Sequence, residues 1–97
     1  MPQIIVVIAK VEAKQDQLEL VKSEALKLIE PTRKEPGCIE YNLQQDSENP
    51  EVFIFVERWE SKELLSAHLE SKHLQHFVKA TENSVVSLTI NEMFPVA

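Results

Sequence analysis

Two stretches of the chain carry apolar side chains at consecutive positions instead of at every second position. Residues 3–11 form an almost unbroken Ile/Val run, and Val52–Trp59 again places large apolar side chains on both sides of an extended chain. Their β-branched and aromatic content and their short length favour strands over helices. Because a strand of this kind must be covered on both faces, we predict two central strands of a sheet.

Two other stretches alternate between apolar and polar side chains. In Cys38–Gln45 the apolar positions are Ile39, Tyr41 and Leu43, and near the carboxyl end they are Val86, Leu88 and Ile90. An alternation of period two is typical of a strand with one face in water. These two stretches are therefore predicted to be edge strands.

Helical periodicity appears between the strands. In residues 16–29 the apolar positions fall three or four apart, at Leu18, Val21, Ala25 and Leu28. This spacing forms one stripe along a helix, which Pro31 is expected to end or kink. After the strand Val52–Trp59, Ser61 is a candidate N-cap for a helix with the apolar face Leu64, Leu65, His68 and Leu69. Ser71 is expected to cap a shorter helix that points Leu74, Phe77 and Val78 inward.

The predicted element order is β-α-β-β-α-β, which is the ferredoxin-like α+β pattern, in one domain spanning residues 1–97. In that topology the four-stranded antiparallel sheet has the order 4-1-3-2, so the two doubly apolar strands are central. Helices can cover only one face of such a sheet. On the other face Ile54 and Val56 need cover that the chain does not supply, so we predict a homodimer packed sheet to sheet.

Charge and composition narrow the possible partners. The net charge is −6, which argues against nucleic acid. A single cysteine, Cys38, excludes an intrachain disulfide and fits a reducing compartment. The apolar run near the amino end is too short for a membrane span or a signal peptide. We therefore expect a cytoplasmic protein without a membrane partner. With one glycine in the chain, no Gly-rich phosphate loop for a nucleotide or flavin is present.

Phe55, Glu57 and Trp59 lie on the same side of one predicted strand, because side chains alternate along a strand. If the following helix packs on that side, His68 faces the same space. Aromatic walls with a few polar groups suit a small planar ligand. The competing interpretation is a hydrogen-bonded core, which is the commoner role for a strand Trp or a helix His. Glu57 fits that interpretation less well, since an inward carboxylate is costly without a partner.

Two further groups of residues are candidates for chemistry. His73 and His76 are three residues apart and could share a metal ion, but no third ligand stands at a suitable spacing, so we predict no metal site. Cys38 has no base partner visible in the sequence, and a buried structural thiol is the favoured interpretation.

Three segments together resemble the antibiotic biosynthesis monooxygenase family. They are residues 35–43 with the sequence EPGCIEYNL, residues 57–61 with the sequence ERWES, and His68 followed by His73 and Phe77. The resemblance implies a ferredoxin-like dimer, the dimeric α+β barrel, with a pocket between sheet and helices in each subunit. Characterised members of the family include quinol monooxygenases, but their substrates differ.

The resemblance implies a monooxygenase that uses O2 on a small electron-rich aromatic such as a quinol or phenol, with no cofactor. In this hypothesis His68 is the base or hydrogen-bond partner of the substrate hydroxyl, and Glu57 orients His68 or stabilises its charged form. The substrate contacts Trp59, Phe55, Tyr41, His73 and Phe77. Two alternatives stay open. One is an isomerase that moves a proton within a small hydroxyketone, and the other is a non-catalytic, stress-associated dimer that binds a small ligand.

Overall fold

Four strands form one antiparallel sheet in the computed structural model of the protein, which describes residues 3–97. The strands are β1 (Ile5–Ala13), β2 (Cys38–Gln45), β3 (Val52–Trp59) and β4 (Val85–Met93). Their order across the sheet is β2-β3-β1-β4, so β1 and β3 are central, as predicted. The ferredoxin-like α+β fold is confirmed.

Four helices connect the strands in two pairs. They are α1 (Leu18–Leu26), α2 (Ile29–Arg33), α3 (Lys62–Leu69) and α4 (Lys72–Thr81), and a 3₁₀ turn over Gln15–Gln17 precedes α1. Both predicted serine caps are present. Each serine hydroxyl, on Ser61 and Ser71, accepts the backbone N–H three residues later at 3.3 Å. These caps satisfy amide groups that the first helical turn leaves free. No helix in residues 3–97 is long and apolar enough to span a bilayer.

The predicted first helix is interrupted just before Pro31, in agreement with the expected end or kink at this proline. The break lies at Leu28, whose amide bonds to the carbonyl of Ala25 at 3.1 Å in a tightened last turn. Pro31 lies inside the short helix α2. Proline is tolerated there because the first turn of a helix has no acceptor for its backbone N–H.

The register of the sheet decides which side chains face the helices. Val7 of β1 and Tyr41 of β2 both lie opposite Glu57 of β3, and Ala9 lies opposite Phe55. Alternate residues of the two central strands on this face are all buried: Ile5, Val7, Ala9, Val11, Phe53, Phe55, Glu57 and Trp59. The helices therefore enclose one continuous core that contains a carboxylate.

The other face of the sheet is open in the single chain. Ile54 and Val56 are half-buried there, whereas Arg58 is exposed and pairs with Glu40 at 3.3 Å. In one chain, then, β3 is fully buried on its helix face alone. Complete burial of the second face by another copy stays a prediction.

The edge strand β4 departs from the sequence-based expectation. Leu88 and Ile90 lie opposite Val11 and Ala9, on the helix side of the sheet, yet both remain 44% exposed. Val78 of α4, predicted to point inward, is also exposed. These three side chains line a cavity instead of filling the core.

Gly37 makes the turn that leads from α2 into β2. Its φ is +83°, a left-handed conformation that side-chain-bearing residues rarely adopt. A Cβ atom placed on it would also lie 2.9 Å from Cβ of Leu64 in α3. The Gly37 carbonyl accepts the N–H of Glu60 at 2.9 Å, which ties the turn to the start of α3. The turn thus fixes the segment before β2 against α3.

Replacing Gly37 with alanine should destabilise the protein, because both the backbone conformation and the contact with Leu64 oppose a Cβ atom. We expect a loss of about 2 kcal/mol in the free energy of unfolding, measured by urea denaturation. Ser47→Ala in the exposed β2–β3 loop is the control and should stay close to wild type. A Gly37→Ala variant as stable as Ser47→Ala would contradict this account of the turn.

Candidate functional site

A cavity of about 440 Å³ lies between the helix face of the sheet and helices α3 and α4. Its walls are mainly apolar and include Val7, Ala9, Tyr41, Phe55 and Phe77. Two buried ionisable groups, Glu57 and His68, also line it, and the exposed residues Lys79 and Glu82 stand at its edge. The volume falls within the range of small-molecule sites, and a few polar groups in an apolar cavity are typical of such sites.

Glu57 is held inside the protein by its place on β3. Its side chain is 4% exposed, and its Oε1 atom accepts the indole N–H of Trp59 at 2.9 Å. Burial raises the pKa of Glu57 to about 7, against the lowering effect of the Trp59 hydrogen bond, and the nearby charge of Glu35 adds to the rise. Near neutral pH this carboxyl group can therefore either hold or release a proton.

His68 projects from α3 into the same region and is 2% exposed. Its Nδ1 atom lies 2.8 Å from Oε2 of Glu35, while its Nε2 atom lies 4.0 Å from Oε1 of Glu57. Burial lowers the pKa of His68, and the hydrogen bond with Glu35 opposes that effect. A neutral ring whose Nδ1–H donates to Glu35 has a free lone pair on Nε2. His68 is thus arranged to accept a proton.

Glu35 has no assigned role in the sequence-based hypothesis, although it belongs to the segment that carries the family resemblance. It lies in the turn between α2 and Gly37. Its Oε2 atom contacts Nδ1 of His68 and also Nε2 of His73, at 2.8 and 2.7 Å. A buried imidazole N–H needs an acceptor, and Glu35 supplies it. The only available signal in the sequence was an acidic residue beside a Pro-Gly turn.

Three of the expected contacts differ in the structure. Glu57 lies 4.0 Å from Nε2 of His68, which is within ion-pair distance but too far for a hydrogen bond, and the carboxylate bonded to the ring is Glu35. Trp59 is completely buried and stacks on the His68 ring with centroids 4.7 Å apart, so it supports His68 from behind the cavity wall. His73 contacts Glu35 and is absent from the cavity lining. Phe55, Tyr41 and Phe77 do line the cavity, as expected.

Tyr41 and Cys38 both remain protonated at neutral pH. Burial and the charge of Glu57 raise the pKa of Tyr41 far above its usual value. Burial and the charge of Glu35 raise the pKa of Cys38, which is half-buried. A neutral phenol and a neutral thiol are poor nucleophiles. The chemistry of the cavity therefore rests on His68 and Glu57.

His73 and His76 do not converge on a common point. His76 lies on the exposed side of α4, where its Nε2 atom is 3.4 Å from Oε1 of Glu24, and His73 turns to Glu35. The two residues that the sequence places three apart thus contact different carboxylates.

The chain is similar in sequence to a known protein family and to individual proteins. A family model described as antibiotic biosynthesis monooxygenase matches residues 4–80. The chain is similar to the protein named "Probable quinol monooxygenase YgiN" of Escherichia coli strain K12. The two sequences are 26% identical over an alignment of 102 positions, which covers 95% of this chain and 98% of that protein.

Two further proteins are similar over nearly the whole chain. An uncharacterised protein of the cyanobacterium Synechocystis is 28% identical over 93 residues, which are 96% of this chain but only 63% of that relative's length. A crystal structure of a protein from Pseudomonas aeruginosa superposes with a TM-score of 0.95 at 27% identity, covering 100% of this chain and 98% of the other.

The raised pKa of Glu57 predicts a pH-dependent cost to stability. The folded state binds this proton up to about pH 7, whereas an unfolded glutamate releases it near its ordinary value of 4.5. The stabilising effect of the proton is therefore complete below about pH 4.5 and is lost as the pH rises through 7. Relative to Glu57→Gln, the wild type should lose on the order of 3 kcal/mol of unfolding free energy between pH 5 and 8.

Urea denaturation at several pH values measures this difference. Glu63→Gln, at an exposed position in α3, is the matched control and should follow the pH dependence of the wild type. Parallel curves for wild type and Glu57→Gln would show that Glu57 ionises normally in the folded protein.

Proposed function

Because the chain belongs to the antibiotic biosynthesis monooxygenase family, we propose that it is a monooxygenase that oxidises a small electron-rich aromatic with O2. A hydroquinone or phenol is the substrate class that fits. One observation supports this most directly: His68 lines an aromatic-walled cavity, and within residues 3–97 its Nε2 atom has no hydrogen-bond partner. The name of the Escherichia coli relative, a quinol monooxygenase, agrees with this substrate class.

The reaction begins with proton removal. Nε2 of His68 takes the proton of the substrate hydroxyl, and the resulting imidazolium is stabilised by the Glu35 carboxylate at 2.8 Å. Deprotonation makes the aromatic ring a better electron donor to O2. Since amino-acid side chains are poor at activating O2, the substrate itself provides the electrons in this proposal.

The overall reaction balances without an external reductant. A hydroquinone and O2 give a hydroxyquinone and one water molecule. One oxygen atom forms a C–O bond to the ring and the other leaves as water. The four electrons that reduce O2 come from the hydroquinone, which is oxidised by four electrons. The two hydrogens in the water come from the O–H and ring C–H bonds of the substrate that are broken.

Glu57 and the aromatic walls have separate roles in this proposal. With a pKa of about 7, Glu57 can donate a hydrogen bond to a substrate oxygen and later return a proton to a reduced oxygen atom. Phe55 and Tyr41, with ring centroids 5.4 Å apart, and Phe77 would contact the flat faces and edges of the substrate ring. The apolar lining would also limit the access of water to reactive intermediates.

The open face of the sheet is the second part of the proposal. Val6, Ile8, Ile54 and Val56 form a half-buried apolar centre on this face, ringed by polar positions such as Lys10 and Asn42. We propose that a second copy covers it, giving a homodimer with the two sheets face to face. An apolar centre with a polar rim is the usual composition of such an interface.

Replacing His68 with glutamine should remove the base while keeping the size of the side chain. We expect kcat/KM for O2 uptake to fall by about 100-fold or more for the best substrate of a panel of hydroquinones and phenols. An oxygen electrode measures the rate. His76→Gln, which changes the same residue type on the exposed side of α4, should keep wild-type activity.

Two outcomes would contradict the proposed reaction. One is no O2 uptake by the wild type over the whole panel. The other is uptake in His68→Gln equal to that of the wild type. Deuterium exchange into a hydroxyketone without O2 uptake would instead identify a proton-transfer enzyme.

The dimer is tested by placing a charge on the open face. Val56→Lys should convert a dimer into a monomer, because a buried, unpaired ammonium group opposes sheet-to-sheet packing. Light scattering after size-exclusion chromatography gives the mass. Leu26→Lys, at an exposed aliphatic position on the helix side, should remain dimeric. A monomeric wild type, or an unchanged mass for Val56→Lys, would overturn this interface.

A further inference from the structure

Three potential metal ligands, one of them His68, converge on the side of the His68 ring that carries Nδ1. Glu35 comes from the turn before β2, His68 from α3 and His73 from α4. Oε2 of Glu35, Nδ1 of His68 and Nε2 of His73 all lie within 4.8 Å of one another. Within residues 3–97 no other group of three or more His, Cys, Asp or Glu residues comes together in this way. The set was not visible in the sequence because Glu35 is 33 residues from His68 and 38 residues from His73.

We propose that Glu35, His68 and His73 form a binding site for Zn²⁺, and that the bound ion prevents His68 from acting as a base. The binding half of this inference depends only on the three side chains. The inhibitory half rests on the proposed oxygenase function.

The donor atoms decide the class of ion. Two imidazole nitrogens and one carboxylate oxygen are a ligand set that Zn²⁺ uses, with a water molecule completing a tetrahedral coordination. Nitrogen ligands also suit other late transition metals, whereas Mg²⁺ and Ca²⁺ prefer sites made of oxygen atoms.

The side chains need only small movements to surround an ion. Both imidazole nitrogens already face the same carboxylate oxygen, at 2.8 and 2.7 Å. In a zinc site each of these atoms would lie about 2.0–2.2 Å from the metal. The side chains of His73 and Glu35 are 25% and 15% exposed, so an ion can approach from solvent. The net charge of −6 favours the approach of cations.

The position of the site relative to the cavity defines what the ion would do. His68 lines the cavity, but Glu35 and His73 do not. The ion would therefore bind on the side of the His68 ring that faces away from the substrate. It would act on the reaction through His68 and not by contact with the substrate.

Coordination of a metal ion by Nδ1 changes which nitrogen of His68 carries the ring proton. When Nδ1 binds the metal, the ring proton of a neutral imidazole must reside on Nε2. Nε2 then donates a hydrogen bond to the cavity and has no lone pair for the substrate hydroxyl. The Glu35 carboxylate is also drawn to the ion and no longer supports an imidazolium at His68. Zn²⁺ is thus expected to inhibit.

Binding is tested with the full chain after treatment with a chelator that is then removed. Isothermal titration with Zn²⁺ should show one ion per chain, and Co²⁺ should give the visible absorption bands of a tetrahedral site. Glu35→Gln and His73→Asn should each weaken binding by at least about 10-fold. His76→Asn is the matched control, because it removes the other α4 histidine, and it should bind like the wild type.

Several outcomes would overturn the site. They are no Zn²⁺ binding by the wild type, equal binding by His73→Asn, and loss of binding in His76→Asn. Circular dichroism and thermal melting of each variant establish that it is folded. If Glu35→Gln is unfolded, His73→Asn alone decides the result, since His73 is partly exposed.

The inhibitory half is tested by O2 uptake. Zn²⁺ should reduce the wild-type rate at the concentrations that fill the site, and EDTA should restore it. In His73→Asn, compared with its own rate without metal, the inhibition should require at least about 10-fold more Zn²⁺. O2 uptake that continues at saturating Zn²⁺, or that EDTA abolishes, would contradict the proposed inhibition. Neither outcome would change the result on Zn²⁺ binding. A wild type that binds Zn²⁺ but oxidises no substrate would contradict the proposed function and not the site.

Discussion

Helices cover one face of the four-stranded sheet, and the register of β3 decides what they cover. With Glu57 opposite Val7 and Tyr41, the carboxyl group lies under the helices together with Phe55 and Trp59. A shift of one residue would turn all three outward and bring Ile54 and Val56 inward. The cavity and the apolar open face are therefore two results of the same alternation along one strand.

The contact between His68 and Glu35 depends on structure well outside the cavity. Gly37 allows the turn that brings the segment containing Glu35 against α3, and the tight approach to Leu64 fixes how near it lies. Trp59 stacks on the imidazole ring, and its indole N–H is bonded to Glu57. His68 is thus held by a hydrogen bond on one ring edge and by an aromatic ring on one face. Residues outside the cavity lining thus determine the direction of Nε2.

The elements that the sequence predicted well depend on local information. The alternation in Cys38–Gln45 and the consecutive apolar positions of Val52–Trp59 defined β2 and β3 with their observed bounds, and the two serine caps located α3 and α4. The main error has a non-local cause. Leu88 and Ile90 stay exposed because they border the cavity instead of packing in the core. An alternating pattern identifies an apolar face, but it does not show whether another element reaches that face.

The site shows the same division between local and non-local information. Strand alternation placed Phe55 and Glu57 together, and helical periodicity placed His68 on a buried face. Glu35 could not be paired with His68 in this way. The two residues are 33 positions apart, and their contact arises from the packing of a turn against α3 and α4. Sequence patterns therefore identified several residues of the cavity wall but not Glu35, the carboxylate bonded to the histidine.

His68 is bonded to Glu35 and not to Glu57, and this difference affects how the site can work. A carboxylate bonded to Nε2 would occupy the atom that meets the substrate in the proposed reaction, and His68 would then be a structural residue. Because Glu35 binds Nδ1 and Glu57 lies 4.0 Å from Nε2, that nitrogen remains available within the cavity. Glu57 is left with the Trp59 indole as its hydrogen-bond donor, and burial raises its pKa to about 7. Two carboxylates on opposite edges of one imidazole thus have different roles in the proposed reaction: Glu35 sets the tautomer, and Glu57 is free to exchange a proton with the substrate.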